Sequence, residues 1–252
     1  MSEKGKDTEN SSEMEINNLE ELVNIFEESS LTMKEKLINP GLFVRRQELS
    51  YLIANYEIFK LIQNVKGSIM YFGVYHGAGL MTFAKLSSGL EPYNHTREII
   101  GFDTFSGYPE ITKEDTTHDK YYKTLKSGGF SSNSYDYLQK IVKIYDQDRS
   151  LNHIPKISFV KGDVMKTLPS YLSKNQHILV SCVVLTMNLY EPTKLALSLL
   201  WPKMPKGGVV VIHSLNEVFY PGATKAVLDV IGTNASIKTF PHTPNLAYIV
   251  KD

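Results

Sequence analysis

The chain has 252 residues, 42% of them hydrophobic, with 27 basic residues against 27 acidic ones and a formal net charge of +0. That length suits one α/β domain, and the neutral balance excludes a strongly cationic nucleic-acid binder and an acidic tail protein. The charge is unevenly placed: residues 1–35 hold ten acids and three bases, and from Val164 onward the acids are Glu191, Glu217, Asp229 and Asp252 alone.

The single cysteine, Cys182, cannot form an internal disulfide and lies in an apolar run, as expected in a reducing compartment. No run of about 18 apolar residues occurs, and the polar start MSEKGKDTENSSEME is unlike a signal peptide. A soluble, cytoplasmic protein without membrane or nucleic-acid partners is the expectation.

Residues 1–14 are almost devoid of apolar side chains and are expected to be disordered. Ile16, Leu19, Leu22, Val23 and Phe26 then recur at helical spacing, predicting an amphipathic helix over Asn17–Glu28 that suits packing on the main domain or a homodimer contact. A second helix follows Pro40–Gly41, with Leu42, Phe43, Leu49, Leu52, Ile53, Tyr56, Phe59 and Ile62 apolar, and ends near Val65–Gly67. Residues 15–66 thus form a helical segment ahead of a domain over 67–252.

In that domain strand-like and helix-like segments alternate. Strands are predicted at Ser68–Val74, Glu98–Asp103, Lys156–Val160, Ile178–Leu185, Gly208–His213, Ser236–Phe240 and Leu246–Val250. Helices are predicted at Leu80–Leu90, Ser134–Asp146, Lys166–Lys174, Pro192–Leu200 and Ala223–Gly232. The runs IMYFGV, ILVSCVVL and GGVVVI are apolar on both faces, as central strands covered by helices on both sides must be. The expected fold is α/β, a Rossmann-like, doubly wound, mostly parallel seven-stranded sheet with ligands at the carboxyl ends of its strands.

Three successive strand ends carry candidate chemistry. The first opens into Gly73-Val-Tyr-His-Gly77-Ala-Gly79, where glycines let a backbone approach a ligand and expose amides at a helix start. The spacing is not G-x-G-x-x-G, which disfavours an NAD-dependent oxidoreductase. The second ends in Asp103-Thr104, where an acid either accepts from ribose hydroxyls or caps its own turn. The third ends in Gly162-Asp163, either the rim of an adenine pocket or another turn. Together they point to an adenosine-type ligand.

These residues resemble a known family, the class I S-adenosylmethionine-dependent methyltransferases related to macrocin O-methyltransferase, the TylF/MycF-like group. The stretches that carry the resemblance are Val44-Arg-Arg-Gln-Glu-Leu, Tyr56-Glu-Ile-Phe-Lys, Gly73-Val-Tyr-His-Gly-Ala-Gly-Leu-Met-Thr-Phe-Ala, Leu90-Glu-Pro-Tyr-Asn-His-Thr-Arg, Ile100-Gly-Phe-Asp-Thr-Phe, His153-Ile-Pro-Lys, Val160-Lys-Gly-Asp, Leu189-Tyr-Glu-Pro-Thr and Met204-Pro-Lys-Gly-Gly. The resemblance implies an S-adenosylmethionine site around Gly73, Gly77, Gly79, Asp103, Thr104 and Asp163, and O-methylation of a sugar or similar polyhydroxylated acceptor. It also implies a magnesium ion held by carboxylates at two adjacent strand ends, where it would lower the pKa of the attacking oxygen.

The chain departs from that pattern in one direction. Where the group carries the acids of Leu-Asp-x-Asp-Leu-Tyr, this chain has Thr186 and Asn188, and at the next strand end it has His213-Ser214. Tyr71 replaces the acid that precedes the glycine turn, Ser106 replaces a glutamate and Ala223 another acid. Magnesium is normally held by carboxylates, so neutral oxygens and an imidazole are not the donors expected for it.

His213 is either a general base for metal-independent transfer or a histidine filling a vacated site. Glu191 suits a helix start, Glu217 lies near the same rim, His76 covers the glycine turn, and Cys182 reads as a core residue. The long segment Thr104–Asn133 reads as a lid or acceptor site, or as partly disordered. Two readings of function follow: a methyltransferase with altered chemistry, or a catalytically inactive protein keeping the fold as a cofactor-binding or partner subunit.

Overall fold

A computed structural model describes residues 12–116 and 124–252. Of the tail expected to be disordered, residues 1–11 lie outside the described residues, and Ser12 already caps a helix. The chain divides into two compact units at Ser50/Tyr51.

The first unit contains α1 (Glu13–Glu28), α2 (Met33–Ile38), a 3-10 turn at Pro40–Leu42 and the start of α3 (Arg46–Ile62). Helix α1 begins ahead of the expected Asn17 because Ser12 and Glu15 form a capping box, each side chain accepting from the other's backbone N–H at 3.3 and 3.0 Å. The same device at Thr32 and Glu35 starts α2, a helix too short for apolar periodicity to reveal. Phe26 and Phe43 meet edge to face at 4.8 Å, and the Lys36 ammonium lies over the Phe26 ring and donates to its carbonyl. Helix α3 starts at Arg46 because the prolyl turn occupies the residues ahead of it. Its second half carries Ala54, Ile58, Phe59 and Ile62 into the core of the second unit. The division therefore falls inside the helix, ahead of the expected 66/67.

The second unit holds β1 (Ser68–Phe72), α4 (Ala78–Leu90), β2 (Ile99–Asp103), α5 (Tyr135–Gln147), β3 (Ile157–Lys161), α6 (Val164–Lys174), β4 (Val180–Leu185), α7 (Tyr190–Leu200), β5 (Val209–His213), α8 (Pro221–Val230), β6 (Ile237–Phe240) and β7 (Thr243–Val250). All seven predicted strands occur, in the order β3-β2-β1-β4-β5-β7-β6. The first five are parallel, and β7 runs antiparallel to both β5 and β6. Every residue of β1 and β4 is buried. Alternate side chains feed two cores: Ile69, Cys182, Val184, Val209 and Val211 pack with α3, α4 and α5 on one face, while Met70, Phe72, Val183, Leu185 and Val210 pack with α6, α7 and α8 on the other. Burial pushes the Cys182 thiol up to about 12, so it is an inert core residue. Because the chain winds outward from β1 to β2 in one direction and to β4 in the other, the crevice at their carboxyl ends is where such sheets take ligands.

At the opposite end of the strands, Arg97 is 2% exposed and locks three elements together. It donates to the carbonyls of Ile62 at the end of α3, of Gln63 and Val65 just after it, and of Gly67 before β1, and to Ser181 Oγ in β4, while pairing with Glu91 at 2.7 Å. Arg97→Met leaves a buried carboxylate and several carbonyls without donors, and should lower stability by about 3–5 kcal/mol. Urea denaturation checks this as a drop in midpoint at unchanged slope.

Candidate active site

The β1 turn is built from left-handed residues, with φ of 87° at Gly73, 53° at Tyr75 and 87° at Gly77. Gly77 is the N-cap of α4 and brings no capping side chain to its amides. The chain's own packing also demands these glycines. A Cβ would meet Thr186 Oγ1 at 2.4 Å from Gly73, Leu138 Cδ2 of α5 at 2.4 Å from Gly77, and Tyr71 Oη at 2.1 Å from Gly79. Tyr71 thus lies directly beneath the turn, and burial raises its pKa above the ordinary tyrosine value. His76 is exposed, with Nδ1 2.9 Å from the Tyr137 hydroxyl of α5.

Asp103, at the end of β2, accepts from Tyr75 N at 2.8 Å and from Phe105 N at 2.6 Å, so one carboxylate orders both neighbouring turns. Its two oxygens have four acceptor positions, which leaves capacity for further donors. Thr104 Oγ1 donates to Gly107 O at 2.7 Å. Asp163 caps α6, accepting from Met165 N at 2.9 Å, and Gly162 N donates to Asp103 O.

At the ends of β4 and β5 the sequence's candidates take different roles. Thr186 Oγ1 donates to the carbonyls of Phe72 and Gly73 at 2.9 and 2.7 Å, stitching β4 to β1. Asn188 is buried, with φ of 60°, and its Oδ1 has no hydrogen-bond partner. His213 is half-buried and stacks on Tyr51 at 5.7 Å with the planes 8° apart, while Ser214, 2% exposed, donates its N–H to Asn245 O. Glu191 is exposed in the first turn of α7. Among the described residues no group of three or more His, Cys, Asp and Glu is arranged to hold a metal ion.

Sequence reasoning missed Asp115. It is 1% exposed on the long segment after β2, and it caps α7 from outside by accepting from Tyr190 N at 2.6 Å, while its other oxygen accepts from Thr112 N and Oγ1. Gly222 makes room for it, since a Cβ there would stand 2.2 Å from Asp115 Oδ1. The only local signal was Thr-x-x-Asp, a capping box over Thr112–Asp115. Residues 117–123 of the segment lie outside the described residues; its described parts are tied to α8 by Lys225 donating to Glu114 O and by the Thr124–Tyr220 hydroxyl pair. Tyr108, Leu125, Leu189 and Tyr220 cluster there as an aromatic and aliphatic wall.

A family model described as macrocin-O-methyltransferase (TylF) matches residues 45–230. The chain belongs to this family of class I S-adenosylmethionine methyltransferases. A solved structure of CalS11, a calicheamicin methyltransferase, is 30% identical over 99% of this chain and 98% of its own, with a TM-score of 0.90. An apo structure of CalS11, described as TDP-rhamnose 3'-O-methyltransferase, is 30% identical over 95% of both chains, with a TM-score of 0.81. The O-methyltransferase NovP, at 18% identity and a TM-score of 0.58 over 80% of this chain and 79% of its own, shares the fold. No curated protein matches at the sequence level. No helix among the described residues is long and apolar enough to cross a membrane.

The glycine turn and Tyr71 are packed against each other. Gly79→Ala should therefore cost about 1–3 kcal/mol through overpacking. In a Tyr71→Leu background the same change should cost at least about 1 kcal/mol less, a coupling measured by a double-mutant cycle of urea midpoints.

Proposed function

We propose that the protein is an S-adenosylmethionine-dependent O-methyltransferase acting on a sugar or similar polyhydroxylated small molecule without magnesium. The observation that carries the acceptor class is the identity, over nearly the whole chain, to a protein described as a TDP-rhamnose 3'-O-methyltransferase. Support for the cofactor site comes from the uncapped start of α4, the left-handed glycines and the spare acceptor capacity of Asp103 at the switch point of the sheet. When bound, S-adenosylmethionine supplies an electrophilic methyl group on a sulfonium. Gly73, Gly77 and Gly79 keep side chains out of the turn, the Asp103 carboxylate accepts from ribose hydroxyls, and Thr104 and Asp163 frame the neighbouring turns.

Magnesium does not fit the donors present. Thr186 spends its proton on two backbone carbonyls, Asn188 offers a neutral oxygen, and His213 offers nitrogen to an ion that selects carboxylate oxygens. The proton that a metal-activated hydroxyl would shed needs a base instead. His213 takes that role: its ring plane is set by the stack on Tyr51, and it removes the proton of the acceptor hydroxyl as that oxygen is methylated. A second reading, an inactive cofactor-binding or partner subunit, is favoured by one observation, Tyr71 packed against Gly79 where the family has an acid.

Calorimetry should give the same S-adenosylmethionine affinity in EDTA and in magnesium. Methyl transfer to TDP-rhamnose should likewise be unchanged by EDTA; magnesium-stimulated transfer would overturn the metal-free reading, and cofactor binding with no transfer in either condition would favour the inactive one. His213→Gln should slow transfer by about 10²–10⁴-fold with unchanged cofactor affinity.

A further inference from the structure

Helix α3 (Arg46–Ile62) carries apolar side chains on two faces. On one of them Ala54, Ile58, Phe59 and Ile62 enter the core. On the other, Leu49, Leu52, Ile53 and Tyr56 are each between 42% and 46% exposed. Their spacing, i, i+3, i+4 and i+7, is that of a seam by which one helix packs on another, and it gathers them into a single stripe. Scattered apolar residues are ordinary on a protein surface, but a helix that is apolar on both faces is one covered on both.

The charges beside the stripe identify the cover. Arg46 and Glu57 are exposed, and neither has an ion-pair partner among the described residues. They stand about three helical turns apart and therefore on the same edge of the stripe. An antiparallel copy of the same helix reverses these ends and brings Arg46 of each protomer toward Glu57 of the other, whereas a parallel copy sets like charges side by side. Lys60, at the same end as Glu57, donates to Gln63 Oε1 at 3.0 Å. We propose that α3 is the contact of a homodimer, two copies packed antiparallel about a twofold axis, with Leu49, Leu52, Ile53 and Tyr56 at the seam and two Arg46–Glu57 pairs at its edges. Two such helices bury less than the about 1,600 Å² of a standard interface, so dissociation in the micromolar range is expected.

Sedimentation velocity of the full chain from about 1 to 100 μM tests this. The wild type should shift from the 28.5 kDa monomer toward twice that mass as concentration rises. Ile53→Glu places an unpaired charge at the seam and should remain monomeric throughout, with an unchanged circular dichroism spectrum because the position is exposed within the monomer. Arg46→Glu and Glu57→Arg should each dimerise at least about tenfold more weakly than wild type, since each sets like charges together at both edges. Mixed in equal amounts, the two variants should recover wild-type association, because each presents the charge that the other lacks. A wild type that stays monomeric overturns the proposal and leaves the stripe to a different protein. A dimer that survives Ile53→Glu also overturns it, by placing the interface elsewhere, and a mixture no tighter than its components refutes the antiparallel pairing.

Discussion

The hydroxyl of Thr186 donates to the carbonyls of Phe72 and Gly73, and so ties the end of β4 to the end of β1 at the point where the strand order reverses. The ladder is extended in the same place by Thr186 N donating to Phe72 O. Gly73 can carry no side chain because Thr186 Oγ1 occupies the space a Cβ would need. The start of the glycine turn and the end of β4 are thus held against each other by one side chain whose hydroxyl donates to the backbone. A carboxylate at 186 would meet those two carbonyls with like partial charge, so the stitch requires a donor at this position.

The acids that the site does retain are used on backbone amides. Asp103 orders the turns after β1 and β2, Asp163 caps α6, and Asp115 caps α7 across a long sequence separation. Each carboxylate at a helix start is favoured by the helix dipole as well as by its hydrogen bonds. At the ends of β4 and β5 the residues at 186, 188, 213 and 214 are Thr, Asn, His and Ser, with no carboxylate among them. A zero net charge for the whole chain conceals this distribution, since many of its acids lie in the N-terminal 35 residues.

Much of the fold was legible because burial leaves a local trace. The runs through Met70, Val183 and Val210 are apolar on both faces, and only a central strand covered on both sides explains that. Helix α2 was not legible, since six residues hold less than two turns of periodicity and its start depends on the Thr32–Glu35 box. The division inside α3 was hidden for another reason: the helix is continuous in pattern, and only packing shows that Ala54, Ile58, Phe59 and Ile62 belong to the sheet's core.

The sequence by itself determined the family and the order of the seven strands and the longer helices, because motif and periodicity are local properties of a chain. It could not determine what the side chains at the strand ends do. That Thr186 turns to the backbone, that Tyr71 fills the space under Gly79, that Asp115 reaches Tyr190, and that Asn188 is left with an unpaired oxygen are facts of residues far apart in sequence and adjacent in space. Hydrogen bonds and excluded volume act over a few ångströms, so only the tertiary structure could assign them.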